Sequence, residues 1–356
     1  MAEFPTRPEE VTPTWITEAL DYSGDAAIEQ VSWQPIGTGQ VGDSARFALE
    51  WSDPGTLPAT LAGKFPAADE TSRNTAALFG LYRKEVEFYR DFAPRLDVRV
   101  PRTHAACVDD EGRDFILLFE DLGPARGGNQ LESCTLEEAR HAVRQAAALH
   151  GPSWNNVAML EAGWIQPPPD LGSQIAALYP QAHAIWQERY GDLLEPELMQ
   201  VCNELAENCD LWFHRGDPPQ CIIHGDFRLD NMLFDIRDGA EPIAILDWQT
   251  VATGNAMTDI GYFLGCGIGD DLRRAHETEL LDLYRAEMDA RGVTFDDAEF
   301  WQDYRIGALH GASTAVFSAA FVERTERGDR NFLSMARGAC ALALEHGSIA
   351  ALKERY

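Results

Sequence analysis

The stretch CIIHGDFRLDNMLF (221–234) places polar side chains between two apolar runs. Asp226 and Asn231 lie five residues apart in it, and the next apolar run, PIAIL, ends just before Asp247. Buried strands on either side of a functional turn would hold such side chains rigidly. One aspartate could deprotonate an attacking hydroxyl, while an amide and a second aspartate suit a magnesium ion that bridges nucleotide phosphates. The alternative is a β-hairpin whose turn happens to be acidic.

Lysine is rare in this chain, because only Lys64, Lys84 and Lys353 occur among 29 basic residues. Lys64 lies between apolar neighbours in ATLAGKFP, a pattern that predicts a strand. A half-buried lysine needs an anion, and the choice of lysine over arginine indicates a compact point charge. Glu85 lies in the apolar stripe of a helix predicted over 74–93 and is the candidate partner, unless it reaches water at the stripe's edge.

Residues 31–51 (VSWQPIGTGQVGDSARFALEW) predict a strand, a glycine loop and a second strand. The loop spells G-x-G-x-x-G through Gly37, Gly39 and Gly42, with Ser44 close behind. In a dinucleotide-binding fold this motif opens a helix, whereas a strand follows here, as in the phosphate-covering loop of kinases. An ordinary glycine-rich hairpin remains the alternative.

The rest of the pattern is strand-rich at first and helical afterwards. Residues 116–119 predict a buried strand, and EDLG (120–123) leaves it as a hinge would. CTLEEARHAVRQAAALHG (134–151) predicts a helix with Thr135 as its N-cap, and nothing in the pattern gives His150 near its end a role. Aromatic residues of the later helices are expected to be mostly core, with some lining a substrate pocket: Trp164, Tyr179, Trp186, Tyr190 and Trp212.

Composition excludes several classes of protein. The chain has 356 residues, of which 45% are hydrophobic and 24% charged, and its net charge is −29. So acidic a surface is a poor partner for nucleic acid or anionic membranes, although it would attract a cationic substrate. The seven cysteines contain no C-x-x-C pair, which argues against a zinc site or a disulfide framework. Without a membrane-length apolar run or a signal peptide, we expect a soluble cytoplasmic protein.

HGDFRLDN and ILDWQ resemble the catalytic and metal motifs of the aminoglycoside phosphotransferase and choline kinase-like superfamily, relatives of the protein kinases. YRKEVEFYRDFAPRL, ILLFEDL and AALHGPSW are most similar to its ecdysteroid kinase-like branch and the bacterial relatives of that branch. The resemblance covers residues 30–265 well and the C-terminal helices loosely. It implies a bilobal, protein kinase-like α+β fold. The N-lobe (1–121) would be a small antiparallel sheet with one helix, and the C-lobe (122–356) larger and mainly helical.

The resemblance also implies how ATP is held. Lys64 would bind its α- and β-phosphates and would be oriented by Glu85. Residues 37–44 would cover the phosphates. The backbone of three consecutive residues would meet the adenine: Phe119, Glu120 and Asp121.

In the same resemblance, Asp226 would be the catalytic base, and Asn231 and Asp247 would bind Mg²⁺. Arg228 stands two residues after the base, where protein kinases carry a lysine near the transferred phosphate, and it would stabilise the transferring group. A salt bridge from Arg228 to Asp230 or to a surface acid is an equal alternative.

Two further residues resemble supports of the catalytic loop. His224 would pack and position the loop, and Asp259, in MTDIGYFL, would brace it from a following helix unless it is simply a helix N-terminal acid. Two features depart from protein kinases. The metal motif is Asp-Trp-Gln, and only eleven residues separate Asp247 from Asp259. That leaves no room for a peptide-binding activation segment, so peptide substrates are not expected.

The sequence therefore predicts an ATP- and Mg²⁺-dependent small-molecule O-phosphotransferase, with direct in-line transfer to a substrate hydroxyl. The acceptor would be aminoglycoside-like or sterol-like, and choline-type and sugar acceptors stay open. A nucleotide-binding sensor or scaffold without transfer activity is the alternative. A Rossmann-type oxidoreductase is a weaker alternative, because it predicts a helix after Gly42. No oligomeric state is predicted.

Overall fold

The computed structural model describes residues 4–37, 42–216, 220–322 and 324–356. The chain divides into two compact units. Unit 1 comprises the residues up to Arg95, together with Arg99–Ala125 and Asp235–Val251. Unit 2 comprises Leu96–Val98, Arg126–Phe234 and Ala252–Tyr356. The boundary after residue 121 between two lobes stays a prediction.

Unit 1 is built on a five-stranded antiparallel sheet. Its strands are β1 (Ile28–Ile36), β2 (Gly42–Trp51), β3 (Thr60–Pro66), β4 (Thr103–Val108) and β5 (Phe115–Glu120), in the order β1-β2-β3-β5-β4. Its other elements are α1 (Pro13–Ala19), α2 (Glu70–Leu78), α3 (Leu81–Glu87), the single turn α9 (Ile236–Gly239) and β9 (Glu241–Ile245). The three strands predicted over 31–51 and 59–66 are confirmed.

The sheet sets the position of Lys64 through alternation and register. Along β2 the apolar side chains Ala45, Phe47 and Leu49 are buried while their neighbours face away, the period-2 pattern of a half-buried strand. In β3, Lys64 pairs with Ser44 on one side and with Leu117 on the other. The lysine is therefore fixed in the middle of the sheet.

The helix predicted over 74–93 is in fact two helices and a π-turn. It breaks between Leu78 and Leu81, where Gly80 has φ +66°, a left-handed conformation that favours glycine. The apolar spacing over 74–93 predicts Leu78 as the first residue of the buried stripe, and this is wrong, because 77% of its surface is exposed. The stripe is kept downstream, where Tyr82, Glu85 and Val86 are buried in α3.

Unit 2 is mainly helical. Its helices are α4 (Leu136–Ser153), α5 (Val157–Leu160), α6 (Leu171–Tyr190), α7 (Pro196–Glu207), α8 (Cys209–Phe213), α10 (Met257–Tyr262), α11 (Asp270–Asp289), α12 (Asp297–Gly307), α13 (Leu309–Phe321), α14 (Glu326–His346) and α15 (Ser348–Arg355). Its strands are β6 (Arg126–Gly127), β7 (Cys221–Ile223), β8 (Met232–Asp235) and β10 (Ala252–Gly254). The predicted α+β class is confirmed.

Two details of unit 2 match the sequence analysis. The Thr135 side chain accepts from the Glu138 N–H, and the Glu138 carboxylate accepts from the Thr135 N–H, which completes a capping box at the start of α4. Four of the five predicted core aromatics are buried: Tyr179, Trp186, Tyr190 and Trp212.

The strands that flank the 221–234 turn do not pair with each other. β7 pairs with β10, in the register Ile222 to Thr253, and β8 pairs with β6. The hairpin alternative is therefore wrong, and the segment between β7 and β8 is not a hairpin turn. Leu229–Asn231 forms a 3₁₀ turn there.

None of the helices in the described ranges combines the length and apolar composition needed to cross a bilayer. All seven cysteines are free thiols.

Candidate active site

The glycine loop between β1 and β2 is described at its two ends. Gly37 has φ +73°, and a Cβ on Gly42 would lie 3.0 Å from the Phe65 carbonyl oxygen, so both positions suit glycine. Gly39 lies outside the described residues. Ser44 lies opposite Lys64 in the sheet.

Lys64 holds two carboxylates within unit 1. Its Nζ donates to Glu85 at 2.8 Å, which confirms the predicted ion pair, and to Asp247 Oδ1 at 3.1 Å. The Glu85 side chain is 1% exposed, that of Lys64 15% and that of Asp247 44%, so the three charged groups run from the core of the unit to its surface. Burial would lower the Lys64 pKa, but the carboxylates of Asp247 and Glu85 raise it above its ordinary value. Lys64 is thus a charged ammonium at any physiological pH.

The chain around Asp247 is fixed by packing. Asp247 has φ +63°, a left-handed conformation that aspartate tolerates better than most residues. The following Trp248 is buried and stacks on Phe88 with ring centroids 3.8 Å apart. Phe88 follows directly after α3, the helix that carries Glu85, so the lysine and both acids are held by one packed group.

The segment predicted to meet adenine is the end of β5. Phe119 is buried, and the Glu120 N–H donates to the Arg102 carbonyl at 2.9 Å. Asp121 pairs with Arg46 at 2.7 Å and accepts from the Gly123 N–H. The Glu120 carboxylate also accepts from Arg99 at 2.9 Å, so both acidic side chains are engaged in structural contacts. The predicted adenine role falls to the backbone groups other than the Glu120 N–H, and it stays a prediction.

The turn after β7 presents Asp226 with three donors to its carboxylate. Oδ1 accepts from the Tyr262 hydroxyl at 2.8 Å and from Arg228 Nε at 2.9 Å, and Oδ2 accepts from Asn231 Nδ2 at 2.7 Å. Burial would raise the pKa of Asp226, but the Arg228 guanidinium and the Tyr262 hydroxyl lower it below its ordinary value. Asp226 is therefore an ionised acceptor at neutral pH.

Asp259 braces this turn from α10, as the resemblance implied. Its buried carboxylate accepts from the backbone N–H groups of His224 at 2.7 Å and Gly225 at 2.9 Å. His150, near the end of α4, bonds the same carboxylate through Nε2 at 3.2 Å and Tyr284 through Nδ1 at 2.8 Å. Asp259 also lies in the first turn of α10, so it is a helix N-terminal acid as well as the support of this turn.

His224 supports the turn from within, since its Nδ1 accepts from the Asp226 N–H at 3.2 Å and its side chain is buried. His310 of α13 contacts the Gly225 carbonyl through Nε2 at 2.9 Å. Together with Asp259, these contacts fix both backbone polar groups of Gly225.

Arg228 bridges two acids. Besides Asp226 it pairs with Asp230 at 3.0 Å and with the Gln130 side-chain oxygen at 2.8 Å. The predicted salt bridge to Asp230 is therefore present, and it does not exclude a role toward a transferring group. Asp230 also accepts from the Gln130 N–H at 3.1 Å and from Asn331 at 3.4 Å.

The predicted magnesium ligands are suited to that ion by their donor atoms. Because Asn231 gives its amide nitrogen to the carbonyl and the carboxylate of Asp226, its Oδ1 is the atom left for a cation. In unit 1, the Asp247 carboxylate is half-exposed. Each of the two side chains is by itself a hard oxygen donor, and their joint role as magnesium ligands stays a prediction. Among the described residues no cluster of three His, Cys, Asp or Glu forms a separate metal site.

Several residues of the site escaped the sequence analysis: Gln130, His150, Tyr262 and His310. A lone histidine in a helix or a tyrosine in an apolar run is more often core than functional, so neither carried a signal. The position of Tyr262, three residues after Asp259 on one helix, could have indicated a shared face.

A family model matches residues 64–298, from Lys64 to the start of α12. Its description is "Phosphotransferase enzyme family". The chain belongs to this family. The predicted enzyme class, a phosphotransferase, is thereby confirmed, as is the resemblance at the level of the superfamily. The branch within it stays a prediction.

Solved structures of phosphotransferases share the fold over nearly the whole chain. Spectinomycin phosphotransferase in complex with ADP and spectinomycin is 12% identical, with 96% of this chain and 100% of that chain covered and a TM-score of 0.52. The GDP and kanamycin complex of APH(2″)-IIIa is 15% identical, with 94% and 97% covered and a TM-score of 0.53. Choline kinase from Cryptosporidium parvum Iowa II is 11% identical, with 89% of both chains covered and a TM-score of 0.51.

Curated relatives match only locally. Acyl-CoA dehydrogenase family member 11 of Gallus gallus is 33% identical over 81 residues, which is 22% of this chain and 10% of that protein. Acyl-CoA dehydrogenase family member 10 of Mus musculus is 44% identical over 41 residues, 12% of this chain and 4% of that protein. The chain thus spans a tenth or less of the length of these relatives.

Proposed function

We propose that this phosphotransferase moves the γ-phosphoryl group of ATP, with Mg²⁺, to a hydroxyl group of a small molecule. The observation that carries the proposal is the largely buried ammonium of Lys64, held between Glu85 and Asp247 in the middle of a sheet. A desolvated cation fixed in this way is a receptor for phosphate oxygens. Complexes of the fold relatives with ADP or GDP support nucleotide binding.

In this proposal the nucleotide-binding residues of unit 1 have separate roles. Lys64 binds the α- and β-phosphates, and Glu85 keeps its ammonium pointed at them. Residues 37–44 cover the phosphates. The backbone of Phe119–Asp121 meets the adenine.

The residues of unit 2 carry the transfer step. Asp226 accepts the hydroxyl proton of the acceptor, and Arg228 stabilises charge on the transferring group. Asn231 and Asp247 would hold magnesium, which when bound neutralises the phosphate charge. His224 and Asp259 position the turn that carries the base. Because catalysis here is positioning plus charge stabilisation, no covalent intermediate with the protein is needed.

Two features of the chain favour two different classes of acceptor, and we propose both for testing. The net charge of −29 favours a polycation such as an aminoglycoside. Apolar side chains in unit 2 favour a sterol-like alcohol, because Leu178 and Phe321 are exposed and Phe321 packs on Phe317 with ring centroids 4.9 Å apart. The fold relatives bind spectinomycin or kanamycin, or are choline kinases.

The test is release of ADP or GDP from the magnesium nucleotides across a panel of acceptors: aminoglycosides, macrolides, steroids, choline, sugars and, given the names of the curated relatives, a hydroxylated acyl-CoA. We expect acceptor-dependent release by the wild type and a loss of about 100-fold or more in Asp226→Asn, which removes the base. Asp53→Asn, an exposed turn residue, is the matched control and should keep full activity.

Two results would contradict the proposal. If the wild-type protein binds neither ATP nor GTP, Lys64 does not bind phosphate as proposed. Nucleotide binding without release on any acceptor would favour the sensor or scaffold function instead.

A further inference from the structure

The two oxygens of the Asp226 carboxylate are not equivalent. An ionised carboxylate oxygen offers about two acceptor positions. Oδ1 uses both, one for the Tyr262 hydroxyl at 2.8 Å and one for Arg228 Nε at 2.9 Å. Oδ2 accepts only from Asn231 among the described residues, at 2.7 Å. Oδ2 therefore keeps a position for a further hydrogen.

Tyr262 reaches the carboxylate from the helix that also holds the backbone of the turn. It ends α10, three residues after Asp259, so the two side chains lie on one helix face. Asp259 binds the N–H groups of His224 and Gly225, while Tyr262 binds the side chain of the next residue. One face of α10 thus fixes both the path of the turn and the rotation of the Asp226 carboxylate.

The direction of the Tyr262 hydrogen bond is settled by chemistry. Tyr262 is fully buried, and burial together with the nearby Asp226 charge raises its pKa well above the ordinary value, so the phenol stays protonated. An ionised carboxylate can only accept, hence Tyr262 donates. The ring of Tyr262 also contacts His310 edge-on at 5.2 Å, which holds the phenol in place independently of the hydroxyl.

We propose that Tyr262 is a positioning residue for phosphoryl transfer: with Arg228 it occupies Oδ1 of Asp226 and thereby presents Oδ2 to the acceptor hydroxyl. The inference rests on the role of Asp226 given under Proposed function. In the transfer step the acceptor oxygen bonds to the γ-phosphorus and its proton passes to Oδ2. The bond from that phosphorus to the bridging oxygen breaks, and ADP leaves with the electron pair.

The first test is Tyr262→Phe, which keeps the ring and removes the donor. Assayed with Mg·ATP and the best acceptor of the panel, kcat should fall about tenfold, less than the loss of the base itself, because the carboxylate loses orientation and not its charge. KM for Mg·ATP should stay within about twofold, since Tyr262 lies outside the nucleotide-binding residues of unit 1. If Tyr262 had only a structural role, we would not expect kcat to fall while KM for Mg·ATP stays the same.

The matched control is Tyr304→Phe. Tyr304 is equally buried, and its hydroxyl donates to Glu277, so the same chemical change is made elsewhere in unit 2. Its kcat should equal that of the wild type. An equal loss of kcat in both variants would assign the Tyr262 effect to stability and overturn the inference.

A second comparison holds even if the phenylalanine variant does not fold. Replacing Tyr262 with 4-aminophenylalanine keeps an N–H donor in the same place, whereas 4-methylphenylalanine fills the same volume without one. The amino variant should retain most of the wild-type kcat and the methyl variant should lose about tenfold. Equal rates in the two variants would overturn the inference.

Combining Tyr262→Phe with Asp226→Asn tests this inference separately from the proposed function. If Tyr262 acts through Asp226, Tyr262→Phe should add no further loss to the residual rate of Asp226→Asn. A further tenfold loss would mean that Tyr262 acts on something other than the base. Absence of transfer by the wild type would count against the proposed function itself, whatever Tyr262 does.

Discussion

At the scale of single residues, the site is a set of charges that are each fixed by a partner. Lys64 has Glu85 and Asp247, and Asp226 has Arg228 and Asn231. Such pairs are costly to break from one side, because the remaining charge stays buried, whereas replacing both members by apolar groups is often tolerated. Stability and activity therefore respond differently to the same substitutions.

For Lys64→Met we expect a loss of about 3–5 kcal/mol in the free energy of unfolding, since Glu85, which is 1% exposed, loses the cation that compensates its burial. Adding Glu85→Leu should recover most of that stability, while nucleotide binding stays absent in both variants. Urea unfolding and titration with Mg·ADP measure the two effects. Lys353→Met, at an exposed lysine of α15, is the control and should change neither. A double variant as unstable as the single one would contradict the argument.

The Lys64–Glu85 pair could be predicted from the sequence, because a charge in an apolar stripe has few ways to be satisfied. His150 and Tyr262 could not, because a histidine or tyrosine in a buried helix is satisfied in many ways. The acid that each one meets, Asp259 or Asp226, is more than 30 residues away in sequence. Only the packed helices bring them together.

At the scale of elements, α10 acts as the support of the catalytic turn, and Asp259 is its main contact. Burial would raise the pKa of Asp259, but hydrogen bonding to His150 and the backbone N–H of His224 lowers it below the ordinary value of 3.8. A carboxyl with a lowered pKa in the folded state stabilises the fold above its unfolded pKa, and this stabilisation is lost as pH falls through the folded pKa.

We therefore expect Asp259→Asn to lower the free energy of unfolding most at pH 7. The difference from the wild type should stay constant down to about pH 5 and shrink as the pH falls toward and below 3.8, where the wild-type carboxyl becomes protonated. Urea unfolding at a series of pH values measures it. Asp282→Asn, on the exposed face of α11, should show no such trend. A difference that does not change with pH would assign the loss to packing.

The elements themselves were largely predictable where the local code is strong. The capping box of α4 and the alternating burial along β2 each depend on a few neighbouring residues, so a short stretch of sequence predicts them. The break at Gly80 was missed because a glycine within a helical pattern is usually tolerated, and only its φ of +66° separates α2 from α3. The strand partners of β7 and β8 were also beyond reach, because pairing is set by distant segments.

At the scale of the whole molecule, the chain carries a net charge of −29, far beyond what solubility requires. Most of the ion pairs are on the surface and contribute little each, so the mutual repulsion of the excess acids should dominate the response to salt. The charge itself is read directly from the sequence. Its distribution over the two units is not, since it depends on which residues fold together.

We expect the thermal midpoint of unfolding to rise between 0.01 M and 0.15 M NaCl at pH 7.5, where the Debye length falls from about 30 Å to about 8 Å. The rise should diminish as the pH approaches the sequence pI of about 4.5, because the net charge then approaches zero. Scanning calorimetry at both pH values measures this. A midpoint that falls with salt at pH 7.5 would show that attractive pairs outweigh the repulsion.

The discontinuity of unit 1 has a consequence for synthesis on the ribosome. Its sheet is made from residues before 121, yet the partners of Lys64 and Phe88 in the same unit, Asp247 and Trp248, are translated more than 120 residues later. Until residue 251 has emerged, the nascent chain carries a sheet with an unstacked aromatic and an incomplete charge cluster. At about 5–20 residues per second that interval lasts about 6 to 26 seconds, during which a chaperone that binds exposed apolar surface has a target.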